Sequence, residues 1–286
     1  MKLMRIGAPG AEQPALLAAD GTVLDLSGLT PDIDGAFLAS GGLDRIRRAV
    51  TAGTLPALET AGARVGAPIA RPGKVVCIGL NYRDHAAETG AAIPERPVVF
   101  LKAPYTVVGP NDNVLIPRGS AKTDWEVELA GVIGRTARYL DSPVRALDHV
   151  AGYAISNDVS EREFQLERSS QWDLGKSCET FNPLGPYLVT SDEITDPGNL
   201  GLRARVNGVA RQDGTTGNLI FDVPYLIWYL SCHMVLEPGD VINTGTPAGV
   251  ALGKPDPKPY LREGDVVELE ISGLGRQRQT FGQAKP

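Results

Sequence analysis

Between residues 123 and 134 the chain reads TDWEVELAGVIG, and its apolar and polar positions alternate. Trp125, Val127 and Leu129 fall on one side of a predicted strand, Glu126 and Glu128 on the other. Ala130 to Gly134 are small and apolar, as suits a strand running into a core. Beyond residue 74 the pattern predicts further short strands in KVVCIGL, PVVFLKA, NVLIP, VAGYAISNDV, PYLVT, LRARVNGVARQ, DVINTG and DVVELEIS. Asp20-Gly21 and Asn207-Gly208 mark hairpins. Helical spacing is rarer. Leu43, Ile46 and Val50 recur at helical intervals, with Gly53 as a stop. Ser160 and Glu163 read as a capping box that opens a second helix. VPYLIWYLSCHMVLEPGD carries Pro224 in its first turn and is expected to stop before Pro238-Gly239. Many strands with few helices predict an α+β, β-rich fold with closed or packed sheets. The stretch GAPIARPGK, residues 66–74, separates a small N-terminal domain (1–70) from a larger one (71–286).

Composition narrows the function. The 286 residues are 42% hydrophobic and 22% charged, enough to fill a sizeable core. The net charge is −6 and no Lys/Arg run is present, which argues against nucleic acid as a partner. No apolar stretch reaches about 18 residues, so no membrane span is expected. The N-terminus MKLMRIGAPG has no long apolar segment and is not read as a signal peptide. Cys77, Cys178 and Cys232 are far apart and lack CxxC spacing. They are expected to be buried free thiols in a reducing cytoplasm.

The candidate chemistry is acidic. Glu126 and Glu128 lie on one face of a strand, with Cα atoms roughly 6.5–7 Å apart. Alternation alone favours an ordinary pair of surface glutamates on an edge strand. A second feature changes that: AGYAISNDVSERE is another apolar strand, and it ends in Asn157-Asp158. Three acids presented by strand ends, Glu126, Glu128 and Asp158, suit a hard divalent cation that keeps open positions for water and substrate. In GLNYRDHAAETG, His85 and Glu88 are three apart and are neighbours on a helix turn. A carboxylate beside an imidazole raises its basicity and orients it as a general base. His149 and His233 have weaker claims, His233 lying mid-helix among apolar residues. Lys176 sits in a polar loop flanked by aromatic residues, where it could hold a carboxylate or stabilise an enolate. NTGTPAGVALG, residues 243–253, offers backbone N–H groups and the Thr246 hydroxyl to an oxyanion. It is not a P-loop.

Together these motifs resemble the fumarylacetoacetate hydrolase superfamily. GLNYRDHAAE, FLK, TDWEVELAGVIG, GYAISNDVSERE, GKSCETFNPLGP and LEPGDVINTGTPAGV follow one another in the family's order over most of residues 74–270. The resemblance implies a rolled mixed β-sheet, a small N-terminal domain and a homodimer. It implies that Glu126, Glu128 and Asp158 hold Mg²⁺, or Mn²⁺ or Ca²⁺ in its place. It assigns water activation to His85 and Glu88 on a mobile lid over 81–93, enolate stabilisation to Lys176, and substrate binding to Tyr82, Lys102, Arg162, Gln171 and Thr246. Glu179 and Ala251 depart from the residues common at their positions. The opening residues and SEREFQLERSSQWDLGKSCETF are similar to bacterial 2,4-diketo-3-deoxy-L-rhamnonate or fuconate hydrolases. The implied reaction cleaves the C3–C4 bond of a 2,4-diketo acid, and for the rhamnonate acid it yields pyruvate and lactate in sugar-acid breakdown. Alternatives are acylpyruvate hydrolysis, oxaloacetate decarboxylation, keto–enol isomerisation and, in another class, metal-dependent binding without catalysis.

Overall fold

A computed structural model describes residues 1–168 and 170–285. The architecture is α+β and rich in strands, as the alternating pattern predicts. Two mixed sheets share one apolar core. In the larger sheet the central order is Asn182–Thr190, Val150–Asn157, Val127–Ile133, Val241–Asn243, Val75–Gly79, Val98–Lys102. Most pairs are antiparallel, but Val241–Asn243 and Val75–Gly79 run parallel. Val127–Ile133 and Val150–Asn157 are buried along their whole length. That explains their small apolar residues, since both faces of a central strand are covered. The second sheet contains the hairpin at Asn207-Gly208, both residues at positive φ as a tight two-residue hairpin loop requires. Among the described residues no helix is long and apolar enough to cross a membrane.

The boundary expected near residue 70 is not a break in the sheet. Lys2–Ile6 pairs antiparallel with Asn182–Thr190, placing Leu3 opposite Leu188. Leu3, Leu16, Leu26 and Ile46 pack in the same cluster as Val75, Cys77 and Ala130. The predicted hairpin at Asp20-Gly21 joins Gln13–Leu17 to Val23–Asp25, and the helix Gly42–Ala52 ends at Gly53.

Two helix boundaries differ from the sequence reading. Ser160 forms no capping box: Ser160–Glu161 is a short strand paired with Thr123–Asp124, and the Ser160 hydroxyl donates to the Asp158 carbonyl. The helix starts at Arg162, capped by the Glu161 carboxylate, which accepts the Glu163 N–H at 3.2 Å. The C-terminal helix spans Val223–Ser231 and stops well short of Pro238. Past Ser231 the chain turns, and Leu236 exchanges both backbone hydrogen bonds with Ala137. Pairing with a distant strand segment replaces the next helical turn. His233 is therefore exposed and outside the helix. Of the cysteines, all free, Cys77 is buried while Cys178 and Cys232 are only partly so.

One strand has no hydrophobic signature. Gly275–Gln283 points Gln277 and Gln279 inward, both nearly inaccessible. The Gln277 amide donates to the carbonyls of Ile155 (2.7 Å) and Gly185 (2.9 Å). Buried glutamines satisfying backbone oxygens take the positions that apolar side chains fill elsewhere.

Candidate active site

Antiparallel register builds the site. Val127 lies opposite Asn157 and Glu128 opposite Ser156. Glu126 thus sits just before one strand, and Asp158 just after its neighbour. The Asp158 N–H donates to the Glu126 carbonyl at 3.0 Å, and the Asn157 side chain accepts the Glu126 N–H at 3.2 Å. Carboxylate oxygens of Glu126, Glu128 and Asp158 lie within 4.8 Å of one another, and all three residues are buried.

Three buried cations balance this charge in part. Lys176 Nζ bridges Glu126 Oε2 at 2.7 Å and Asp158 Oδ2 at 3.0 Å. Lys102 Nζ donates to Asp158 Oδ1 at 2.5 Å and to the Val159 carbonyl at 3.0 Å. Arg162 spreads its guanidinium over Glu126 Oε1 (2.6 Å), Asp124 Oδ2 (2.9 Å) and Gln165 Oε1 (3.0 Å). Burial alone would raise the Glu126 carboxyl, but Lys176 and Arg162 outweigh it and hold it low. Glu128 goes the other way. Burial, then Asp158 and Glu126, push its carboxyl well up. It accepts the Gly245 N–H at 2.8 Å and forms no ion pair among the described residues. Four buried carboxylates, with Asp124, therefore face three buried cations. A divalent cation fits this donor set: all-oxygen, convergent, and with Glu128 left without a cationic side-chain partner among the described residues.

Of the histidine–glutamate pair, His85 lines the same cavity as Glu126 and Glu128. Asp84 accepts the His85 N–H at 2.9 Å in the first turn of the helix Arg83–Thr89. Glu88 falls one turn on, with Oε2 3.6 Å from His85 Nδ1. That separation is a charge contact longer than a hydrogen bond, and Nδ1 is buried without a hydrogen-bond partner. Glu88 is itself anchored by the Gly249 N–H at 2.9 Å and by Lys254 Nζ at 3.0 Å. Within the expected lid, residues Arg83–Thr89 form a helix with His85 and Ala86 buried.

Burial pushes the Glu88 carboxyl up, but His85, the Gly249 N–H and Lys254 together hold it at about 2 against an ordinary 4.5. A depressed acid stabilises the fold above its unfolded value and loses that contribution as pH falls through its folded value. The gap in urea midpoint between the protein and Glu88→Gln is expected to be widest above pH 5 and to close near pH 2. An equal gap at both ends would contradict this.

The cavity holds about 210 Å³ and is lined by His85, Glu126, Glu128, Arg162, Lys176 and Thr246 among others. These six were all predicted from sequence. Lys176 is not in a polar loop: it ends the short helix Asp173–Lys176 and is buried. Other assignments fare differently. Lys102 pairs with Asp158, and neither of the two is on the cavity lining. Tyr82 is fully buried at the start of the helix, off the cavity wall, with its hydroxyl raised by burial. Gln171 is exposed, and its neighbour Trp172 lines the wall instead. His149 is remote and contacts the Arg135 carbonyl at 3.3 Å. Thr246 donates to the Val127 carbonyl at 2.9 Å and accepts from Gln212 at 2.8 Å, so its hydroxyl is already held in place.

Sequence reasoning missed Asp124. It is inaccessible, accepts the N–H groups of Ala251 (2.8 Å) and Leu252 (3.0 Å), and pairs with Arg162. It ties the guanidinium on Glu126 to the turn that anchors Glu88. It stands two residues before Glu126, and that proximity to a paired acid was its only sequence signal. Ala251 contributes a backbone N–H here, which a change from glycine leaves intact.

Fold and site together define a β-rich enzyme with a carboxylate cluster at one end of a small cavity and a histidine–glutamate pair beside it. The sequence profile described as Fumarylacetoacetate (FAA) hydrolase C-terminal matches residues 74–282. The chain belongs to the fumarylacetoacetate hydrolase family. A chain from Burkholderia multivorans, under a name that goes no further than hydrolase, is 53% identical over 286 residues and covers 100% of both chains. The crystal structure of 5-carboxymethyl-2-hydroxymuconate delta-isomerase from Mycobacterium smegmatis is similar with a TM-score of 0.78 and 32% identity, over 100% of each chain. Maleylpyruvate hydrolase from Sphingobium sp. SYK-6, solved with manganese(II) and pyruvate, is similar with a TM-score of 0.81 and 28% identity, again over 100% of each.

Proposed function

We propose that this enzyme hydrolyses the C3–C4 bond of a 2,4-diketo acid, releasing pyruvate. The observation that carries the reading is the three-carboxylate cluster and the His85–Glu88 pair, of which Glu126, Glu128 and His85 line one small cavity. The manganese and pyruvate held by the maleylpyruvate hydrolase support it.

Glu126, Glu128 and Asp158 would hold a divalent ion, Mg²⁺ or Mn²⁺. Such an ion, when bound, supplies Lewis-acid polarisation of a 2-oxo acid and offsets negative charge that develops on it. The chain's own groups do the rest. His85 removes a proton from water, and Glu88 stabilises the imidazolium that results. The hydroxide adds to the C4 carbonyl. The C3–C4 bond breaks, its electron pair passes to C3, and the proton taken by His85 returns there. The products are pyruvate and the acid derived from C4 onward. The Lys176 ammonium offsets the charge of the pyruvate enolate. The 2,4-diketo-3-deoxy-L-rhamnonate implied by the sequence resemblance has this head and this bond.

Isomerisation is the second reading, because an isomerase is among the similar structures. It needs proton transfer but no water, and it releases no pyruvate. Incubating the protein with acetylpyruvate, and separately with oxaloacetate, in Mn²⁺ and in EDTA separates the cases. Pyruvate release from acetylpyruvate that EDTA abolishes is expected. No release in Mn²⁺, or release indifferent to EDTA, would overturn the proposal. Pyruvate and CO₂ from oxaloacetate alone would make the enzyme a decarboxylase.

A further inference from the structure

The cavity is chemically divided. Glu126, Glu128, Arg162 and Lys176 supply its charged lining. Most of the remaining lining is hydrocarbon, from Ile78, Leu80, Phe100, Leu166, Trp172 and Leu252, and the Gln165 Oε1 there already accepts from Arg162. Lys176 marks the junction, its Nζ 4.9 Å from the centre of the Phe100 ring. Trp172, on the same lining, packs 5.5 Å from Phe100 at a tilt of 59°. The backbone makes room for it. A Cβ on Gly79 would fall 2.4 Å from the Trp172 ring, so only glycine admits the indole in this position. The aromatic wall is built into the strand that carries it.

The cations are already committed. Arg162 and Lys176 are the basic residues lining the cavity, and both are engaged by Glu126 and by Asp124 or Asp158. Among the described residues, a second carboxylate at the tail of a substrate would find no uncommitted Lys or Arg on the lining. A tail hydroxyl would lose water there with little in return. The Thr89 hydroxyl, also on the lining, already donates to the His85 carbonyl at 3.0 Å. At about 210 Å³ the space also falls below the roughly 300–1,000 Å³ of drug-sized pockets, so the tail is short.

We infer that the physiological substrate is an acylpyruvate with a single carboxylate and a short hydrocarbon acyl group, selected by the Phe100–Trp172 wall. This rests on the diketo acid reading above and deepens it. It favours an alkyl tail over the hydroxylated tail of a deoxy-sugar acid and over a dicarboxylic substrate.

Five acylpyruvates sharing one head test it: acetyl, isobutyryl, 4-methylpentanoyl, lactyl and succinyl. Lactyl and isobutyryl differ by a hydroxyl for a methyl, and succinyl and 4-methylpentanoyl by a carboxylate for an isopropyl. In Mn²⁺, kcat/KM is expected to rise up to about fourfold per buried methylene along the alkyl series. Isobutyryl should exceed lactyl by about tenfold, and 4-methylpentanoyl should exceed succinyl by at least about 10²-fold. Trp172→Ala should cut the advantage of 4-methylpentanoyl over acetyl by about tenfold. Preference for lactyl or succinyl over its alkyl counterpart in the unmodified enzyme overturns the inference, whatever the variant does. If no diketo acid is cleaved, the function reading fails, and the wall is judged by calorimetry with Mn²⁺ and uncleaved 2-oxo acids. There 2-oxoheptanoate should bind at least about tenfold tighter than 2-oxoadipate, and the reverse order would sink the hydrocarbon wall.

Discussion

Replacing His85 by alanine is expected to lower turnover of a cleavable acylpyruvate by roughly 10²–10⁴-fold, the usual worth of a positioned general base. The imidazole is the only histidine on the cavity among the described residues. Its neighbour Glu88 is charged and fixed by two further partners, so a protonated His85 has a ready counter-charge. The loss should fall mainly on kcat, because His85 takes no part in holding the carboxylate cluster. Mn²⁺ affinity measured by calorimetry should stay within about threefold, too little for a lost ligand (a tenfold change is about 1.4 kcal/mol). Glu88→Gln should reproduce part of the kcat loss and add little to it in the double variant, since the two groups act as one unit. Unchanged kcat in His85→Ala would move the base elsewhere.

Glu128→Gln is expected to abolish tight Mn²⁺ binding and with it most activity. The loss should exceed the 10–100-fold typical of groups that only support a metal ligand. The substitution keeps the side chain's shape and its oxygen acceptor for Gly245, and it removes one charge. Its effect on the fold should be opposite in sign to its effect on activity. Burial and the nearby Asp158 and Glu126 already disfavour the ionised Glu128, so a neutral amide relieves repulsion in the metal-free protein. In EDTA at pH 7 the variant should melt no lower than the parent. A large drop in melting temperature would mean that Glu128 serves the fold. Retained Mn²⁺ affinity would remove it from the ligand set.

Much of this site was legible in the chain because it rests on local rules. Strand alternation places Glu126 and Glu128 on one face whatever surrounds them. One helical turn makes His85 and Glu88 neighbours. The ordered motifs led to the family before any coordinates, and the profile over residues 74–282 agrees. The failures share a cause as well. Gln171 and Trp172 are adjacent in sequence, and only the packing against Phe100 and Gly79 decides which of them faces the cavity. Lys102 and Lys176 are both buried lysines on Asp158, yet of the two only Lys176 lines the cavity. The Ser160 hydroxyl was free by local rules to cap a helix, but pairing with Asp124 drew that residue into a strand. Gly275–Gln283 carried little apolar alternation because two of its three inward positions, Gln277 and Gln279, are glutamines, and Gln277 serves distant carbonyls.

By itself the sequence determined which side chains are available, their spacing along each element, and the β-rich class of the fold. These follow from backbone geometry within a few residues. Tertiary structure alone decided that Asp158 meets Glu126 and Glu128, because that meeting depends on the antiparallel register that sets Val127 against Asn157. It also decided their electrostatics. Glu126 is held low by Lys176 and Arg162, while Glu128, two residues away, is pushed up by burial and two neighbouring acids. Charge interactions act through space and strengthen as water is removed, so identical residues two positions apart are shifted in opposite directions by what the fold packs around them.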